Sequence, residues 1–111
     1  MAFGHKVLGQ VAPANTSITA AYTVPAGKEA IVSNIAIANV TGTAALYEVY
    51  VRINGATAAA GNALVLDASA AANSTILIQG GITLSAGDII SVQTATANAI
   101  TFHVFGTEVT A

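Results

Sequence analysis

Apolar and polar residues alternate along most of this chain. In residues 47–53, YEVYVRI, the two valines share one side of an extended backbone. Glu48, Tyr50 and Arg52 share the other side. Residues 100–109, ITFHVFGTEV, alternate in the same way. A repeat of two is the period of a β-strand, so the pattern predicts strands with one face toward a core.

The alternative for the alanine-rich stretches is helix. Charged helix formers are scarce, however, and Val, Ile and Thr interrupt every helical stripe. The predicted strands cover approximately residues 5–11, 17–24, 29–40, 45–54, 63–67, 74–79, 81–84, 88–95 and 99–109. The predicted turns are Pro13-Ala14-Asn15, Pro25-Ala26-Gly27, Thr41-Gly42, Asn54-Gly55, Gly61-Asn62, Gly80-Gly81 and Ala86-Gly87. Residues 56–72 are predicted to hold one short strand at most, flanked by loops.

One sequence pattern occurs twice. Residues 23–39, TVPAGKEAIVSNIAIAN, and residues 83–98, TLSAGDIISVQTATAN, both predict a strand, a tight turn and a second strand. Chance similarity in a composition of few residue types is one explanation. The other is a jelly roll, whose two Greek keys have comparable corners. Gly27 and Gly87 would then turn the chain from one sheet into the other.

We therefore predict an all-β, antiparallel two-sheet sandwich, jelly-roll-like, with about eight strands. Pro25 and Asp88 are assigned to the two turns, Asp88 as a carboxylate that caps backbone N–H groups. A length of 111 residues predicts a single domain over residues 1–111. Within it, residues 1–16 are expected to form an extended N-terminal arm.

Charge and targeting signals narrow the classes of partner. Only 7% of residues are charged, against about 25% in an average domain, and only three are basic. Nucleic acid is therefore an unexpected partner. No run of 18 apolar residues and no signal-peptide pattern occur, which predicts no membrane contact and synthesis in a cytoplasm. The outside is either a neutral polar surface or one covered by other subunits, since small uncharged residues suit close contact.

No constellation of residues predicts chemistry. The chain has no cysteine and two histidines, His5 and His103, neither with a carboxylate at ligand spacing. The five carboxylates are dispersed along the sequence, with none paired. A glycosidase needs two facing carboxylates, which spacing alone neither supplies nor forbids. We predict no catalytic, cofactor-binding or metal-binding residues, no small-molecule substrate, and a protein that is not an enzyme.

A protein that acts by contact needs an interface. The candidate interface residues are Phe3, His5, Val7, Glu48, Tyr50, Arg52, His103 and Phe105. Alternation places Tyr47 on the core face, so of the tyrosines Tyr47 and Tyr50 only Tyr50 is expected to be exposed. Because closed symmetry is the usual way for subunits to share surface, a homotrimer is the expected self-assembly.

The combination of YTVPAGKEAIVSNIAIAN, GITLSAGDIISV and the terminal FHVFGTEVT resembles a group of small all-β virion proteins of tailed bacteriophages. The resemblance extends from Tyr22 onward and consists of turn and strand patterns. It implies a capsid decoration (cement) protein, with the major capsid protein or other virion proteins as partners and the virion as its location. A tail or fibre component is the alternative within that class. A carbohydrate-binding module is the alternative outside it, although the absence of Trp disfavours a sugar platform.

Overall fold

The chain is almost entirely strand. The computed structural model describes residues 4–110, with side chains from residue 6 onward. In this range the strands are β1 (Gly4–Val11), β2 (Thr19–Thr23), β3 (Lys28–Asn39), β4 (Ala45–Arg52), β5 (Ala63–Ala70), β6 (Thr75–Ser85), β7 (Ile89–Thr94) and β8 (Ile100–Thr110). Two short 3₁₀ turns, Ile53–Gly55 and Ala60–Asn62, lie between β4 and β5.

The eight strands form two antiparallel sheets. Sheet A has the order β1-β8-β3-β6, and sheet B has the order β2-β7-β4-β5. The first strand therefore pairs with the last, the second with the seventh, the third with the sixth and the fourth with the fifth. This is one long antiparallel hairpin rolled into a sandwich, which is the arrangement of a jelly roll. The predicted all-β sandwich is confirmed.

The core lies between the two sheets. It is formed by the inward side of the alternation, with Phe102 and Val104 from β8 facing Val49 and Val92 from sheet B. All four side chains are fully buried. Since each strand contributes every second residue, the period of two in the sequence is what separates this core from the two outer faces.

Two predicted features differ from the structure. Gly80-Gly81 is not a turn, because β6 runs through it and pairs with β3 on both sides. β5 continues to Ala70, beyond the predicted end at residue 67, because residues 68–70 pair with β4. Pairing with a neighbouring strand supplies the hydrogen bonds that an alanine-rich stretch does not specify locally.

Part of the N-terminal segment predicted as an extended arm is a strand of sheet A. Residues 4–11 form β1, an edge strand that pairs with β8 from Gly4↔Glu108 to Val11↔Phe102. The proposed arm over residues 1–16 thus contains a strand of sheet A. Phe3 lies outside the described residues.

The repeated sequence pattern forms two adjacent corners, at which the chain passes from one sheet to the other. Gly27 lies between β2 of sheet B and β3 of sheet A, and Gly87 lies between β6 of sheet A and β7 of sheet B. Their φ angles are +77° and +89°, which are the positive values predicted. The corners also bond to each other, since the Gly87 amide donates to the Val24 carbonyl at 3.1 Å. The Asp88 carboxylate accepts from the amides of Asn54 (2.8 Å) and Ser85 (2.9 Å), so it caps backbone donors as expected.

Valine at either corner glycine is expected to destabilise the fold. A β-branched residue resists positive φ, and the cost is on the order of 1–3 kcal/mol for each of Gly27→Val and Gly87→Val. The measurement is urea unfolding of the two variants beside Gly42→Val. Gly42 lies in an open turn without the strained φ and has nothing within 4 Å of a Cβ. Equal midpoints for all three variants would contradict the corner assignment.

Candidate functional site

The outer face of sheet A is a broad, nearly uncharged surface, and we call it the sheet A face. Strand register places side chains on it in rows that cross the sheet. One row is Gln10, His103, Ala36 and Leu77; the next is Val7, Phe105, Asn34 and Gln79; a third contains Thr107, Ile31 and Thr83. Residues directly opposite one another in such rows share a face and touch.

Large apolar side chains on the sheet A face are open to solvent. Val7 is 46% exposed, Ile31 47% and Leu77 56%. Among the described side chains, Glu29 is the one charged residue on this face, in the row formed by Ser85, Glu29 and Val109 at one end. An apolar surface without charges at its centre is typical of the core of a protein–protein interface.

His103 and Phe105 form the aromatic part of this surface. Their rings stack with centroids 6.0 Å apart and an angle of 6° between planes. The His103 Nδ1 lies 3.0 Å from the Gln10 side-chain amide, which holds the imidazole against β1. Both side chains are half-buried, so each still has surface that a partner could cover. His103 is therefore a surface residue, as alternation predicts.

Glu48, Tyr50 and Arg52 lie on the opposite side of the molecule, on the outer face of sheet B. Arg52 donates to the Ser91 hydroxyl at 3.1 Å and to the carbonyls of Ala56 and Gly55, which ties the loop after β4 to this face. The Tyr50 hydroxyl donates to Glu48 at 2.5 Å. These contacts fill the centre of the face.

The predicted exposure of Tyr50 is wrong. Tyr50 and Tyr47 are each 5% exposed, one on either side of β4. Tyr50 points outward as alternation requires, but β4 is a central strand, Ser91 of β7 lies opposite Tyr50, and the Tyr50 hydroxyl bonds to Glu48. Alternation gives the direction of a side chain, whereas burial also depends on how the neighbouring side chains fold over it.

One pair of carboxylates is brought together by the fold, contrary to the expected dispersal. Glu48 and Asp67 line the same depression, of about 100 Å³, beside Gln93. The hydrogen bond from Tyr50 lowers the pKa of Glu48, but burial and the Asp67 carboxyl outweigh it and raise the pKa above its usual value. The same bond, with burial, raises the pKa of Tyr50 to about 12. The depression is smaller than the roughly 300–1,000 Å³ of ordinary ligand pockets.

A second polar cluster, which sequence reasoning missed, joins the two sheets. Tyr22 of β2 donates to Glu108 of β8 at 2.6 Å, and the Lys6 ammonium lies 2.9 Å from the other carboxylate oxygen. The bond from Tyr22, then the bond from Lys6, lower the pKa of Glu108. The sequence pattern could have indicated this cluster. Glu108 is separated from Phe102 and Val104 by even numbers of residues, so it shares their inward side of β8, and a carboxylate there needs a partner.

Glu108 is expected to stabilise the fold at neutral pH and to stop doing so in acid. Its pKa is lowered in the fold, so its contribution is complete above the ordinary glutamate pKa, near 4.3, and is lost as pH falls through the folded value. Glu108→Gln is expected to flatten the acid side of the stability curve. Tyr22→Phe is expected to cost about 1 kcal/mol at pH 7.

The measurement is urea unfolding between neutral pH and pH 3, with Glu29→Gln as the control at an exposed position of sheet A. Acid destabilisation that remains as steep in Glu108→Gln as in the original protein would contradict the assignment.

The predicted interface residues are thus divided between two faces. Val7, His103 and Phe105 meet on the sheet A face, whereas Glu48, Tyr50 and Arg52 lie on sheet B and are largely engaged with their own chain. His5 lies in β1 opposite Thr107, and its side chain lies outside the described residues. Only the sheet A group forms a continuous surface.

Among the side chains that the structure describes, those of residues 6–110, no group of three or more His, Cys, Asp or Glu is arranged to hold a metal ion. The described residues also contain no helix long and apolar enough to cross a membrane. No protein-family model, curated protein or solved structure matches the chain. The sheet A face is therefore the best candidate for a functional site on the geometry alone.

Proposed function

We propose that this chain is a structural protein of a tailed-phage virion that decorates the capsid, binding on its outside between capsomers. The observation that carries the proposal is the sheet A face. It combines exposed apolar side chains, small residues and a single charged residue among its described side chains. The strand and turn patterns that resemble small virion proteins supply the identity of the partner, the major capsid protein.

The mechanism is burial rather than chemistry. Ile31, Val7 and Phe105 lose their contact with water when a shell covers the sheet A face, and each gains roughly 25 cal/mol per Å² of apolar surface covered. A bound layer of this protein favours the assembled shell over its separated parts by mass action. The decorated particle is therefore more resistant to heat.

The contact is also expected to depend weakly on ionic strength. Screening by salt weakens charge-steered complexes, but the sheet A face has Glu29 as its one described charge, at its end. Binding to shells in low and high salt separates this mode of attachment from an electrostatic one.

The experiment compares phage heads that lack this protein before and after it is added back. The original protein is expected to bind and to raise the temperature at which the heads release DNA. Ile31→Ser, on the sheet A face, is expected to weaken binding. Leu46→Ser is the matched control, because Leu46 is 43% exposed but lies on β4 in sheet B.

A tail or fibre component is the second candidate, since the same face suits either location. Imaging of labelled protein on whole particles decides between them. Failure to bind heads, together with label on the tail, replaces the capsid role with the tail role. Equal loss of binding in Ile31→Ser and Leu46→Ser would contradict the assignment to the sheet A face.

A further inference from the structure

The four sheet edges of this sandwich are not equivalent. β1 and β6 are the edges of sheet A, and β2 and β5 are the edges of sheet B. An edge strand offers unpaired N–H and C=O groups to any other chain. Proteins that remain monomeric protect such edges with charge, proline, bulges, short length or a covering segment.

Three of the edges are protected. β1 and β2 close against each other, so tightly that a Cβ at Gly9 would lie 2.0 Å from the Ala21 carbonyl oxygen. The Lys6–Glu108–Tyr22 cluster adds a second connection there. β5 carries the charge of Asp67, and its pairing with β4 is interrupted by two register shifts.

The edge of β6 is less protected, since its irregularity is one register shift at Gly80-Gly81, where its pairing with β3 is interrupted. Its 11 residues, TILIQGGITLS, include no charged residue and no proline. Ile76, Ile78 and Ile82 pack against the core but remain partly exposed at this open side. The strand is therefore long, uncharged and apolar along its inner face.

We propose that the β6 edge pairs with β6 of a second copy of this chain, antiparallel about a two-fold axis at residue 80. That register places Ile78 opposite Ile82 of the second copy, and Ile76 opposite its Leu84. All four positions face inward, because they pair with inward residues of β3. The two cores then become continuous across the axis, and no like charges meet.

The φ of Gly80 is +155° at the register shift with β3, so glycine is required there within one copy, whereas Gly81 agrees with the dimer. A Cβ at Gly81 would have no described atom of the chain within 4 Å, so packing within one copy does not require glycine there. Glycine inside a strand often marks a place where another backbone approaches closely. In the proposed register Gly81 lies opposite Gln79 of the second copy, beside the axis.

The area that the two copies would bury along β6 is large enough for a specific contact. An 11-residue strand is about 37 Å long, and the shortest dimension of the molecule is 22 Å. Their product, up to about 800 Å² per copy, is the size of a standard specific interface. The predicted dimer replaces the trimer that surface composition alone suggests, and it is independent of the proposed role on a virion.

The first test is sedimentation of the purified protein across the micromolar range. The original chain is expected to form a concentration-dependent dimer. Gln79→Lys is expected to raise its dissociation constant at least about tenfold, because two lysines then flank the axis on an edge that had no charge. Ser69→Lys on the β5 edge is the matched control and is expected to leave the dimer intact.

The second test does not depend on a disruptive variant. The natural chain has no cysteine. Oxidation of the double variant Gln79→Cys/Gly81→Cys is expected to yield a covalent dimer, since these positions lie opposite each other across the axis. Leu64→Cys/Leu66→Cys on β5 is the control and is expected to give far less.

A monomer throughout the micromolar range, a trimer, or a dimer that cross-links through β5 instead would each overturn the proposal. A monomer overturns the proposal whatever Gln79→Lys does to the binding of shells, because Gln79 also lies on the sheet A face. Loss of binding to shells without loss of the dimer would affect the proposed function alone.

Discussion

Replacing Gly106 with alanine is expected to lower the free energy of unfolding by about 3 kcal/mol or more. A Cβ at this position of β8 would lie 2.1 Å from the Ile31 carbonyl oxygen and 3.0 Å from the Val32 Cα. Both are backbone atoms of β3, the neighbouring strand, so a side-chain rotation cannot relieve the clash. The two central strands of sheet A would have to separate locally, at a cost at or above the usual range for overpacking.

The close approach at Gly106 has an identifiable cause. The β3–β8 register shifts between Val32 and Asn34, which leaves Ser33 as an extra residue. The measurement is thermal and urea unfolding of Gly106→Ala beside Gly42→Ala, since nothing lies within 4 Å of a Cβ at Gly42. A Gly106→Ala protein as stable as the Gly42→Ala control would show that β3 can move away at little cost.

Removing the Phe102 ring is expected to cost about 3–5 kcal/mol, whereas removing the Phe105 ring three residues later is expected to cost much less. Phe102 is fully buried between the sheets, and its loss leaves a cavity lined by residues that cannot all relax. Phe105 is half-buried on the sheet A face, where solvent replaces the lost ring. For a domain of this size, the Phe102→Ala loss corresponds to a fall in Tm of well over about 10 °C.

The pair also separates stability from function. We expect Phe105→Ala to fold with nearly the original Tm and to bind phage heads more weakly, because its ring belongs to the proposed contact surface. Differential scanning calorimetry and the head-binding assay together make the comparison. Similar losses of stability in the two variants would mean that Phe105 is as much a core residue as Phe102.

The fold was largely predictable because it depends on local periodicity. Alternation over residues 47–53 and 100–109 separates the core side from the solvent side without any knowledge of the neighbours. The two corner glycines were predictable for a similar reason. A tight turn of this kind needs positive φ, which glycine adopts without strain. The positive φ of Gly27 and Gly87 could therefore be predicted from the residue type and its position in a turn.

The contacts of individual side chains were less predictable. Tyr50 was expected to be exposed, and the pairing of Glu48 with Asp67 was not foreseen. Ser91, which lies opposite Tyr50, belongs to β7, and Asp67, which affects Glu48, belongs to β5. The β4–β5 register, with its two shifts, brings Asp67 beside Glu48, and no short stretch of sequence encodes that register.

By itself, the sequence determined the strand content, the two-sided character of each strand, the corners at Gly27 and Gly87, and a surface with very little charge. Those properties depend on each residue and its nearest neighbours. The tertiary structure alone decided which strands are edges and that the uncharged β6 is one of them. It also decided that Val7, His103 and Phe105 share one face while Glu48 and Arg52 lie on the other. These properties depend on which strands pair and in which register, and pairing joins residues as far apart as Gly4 and Glu108.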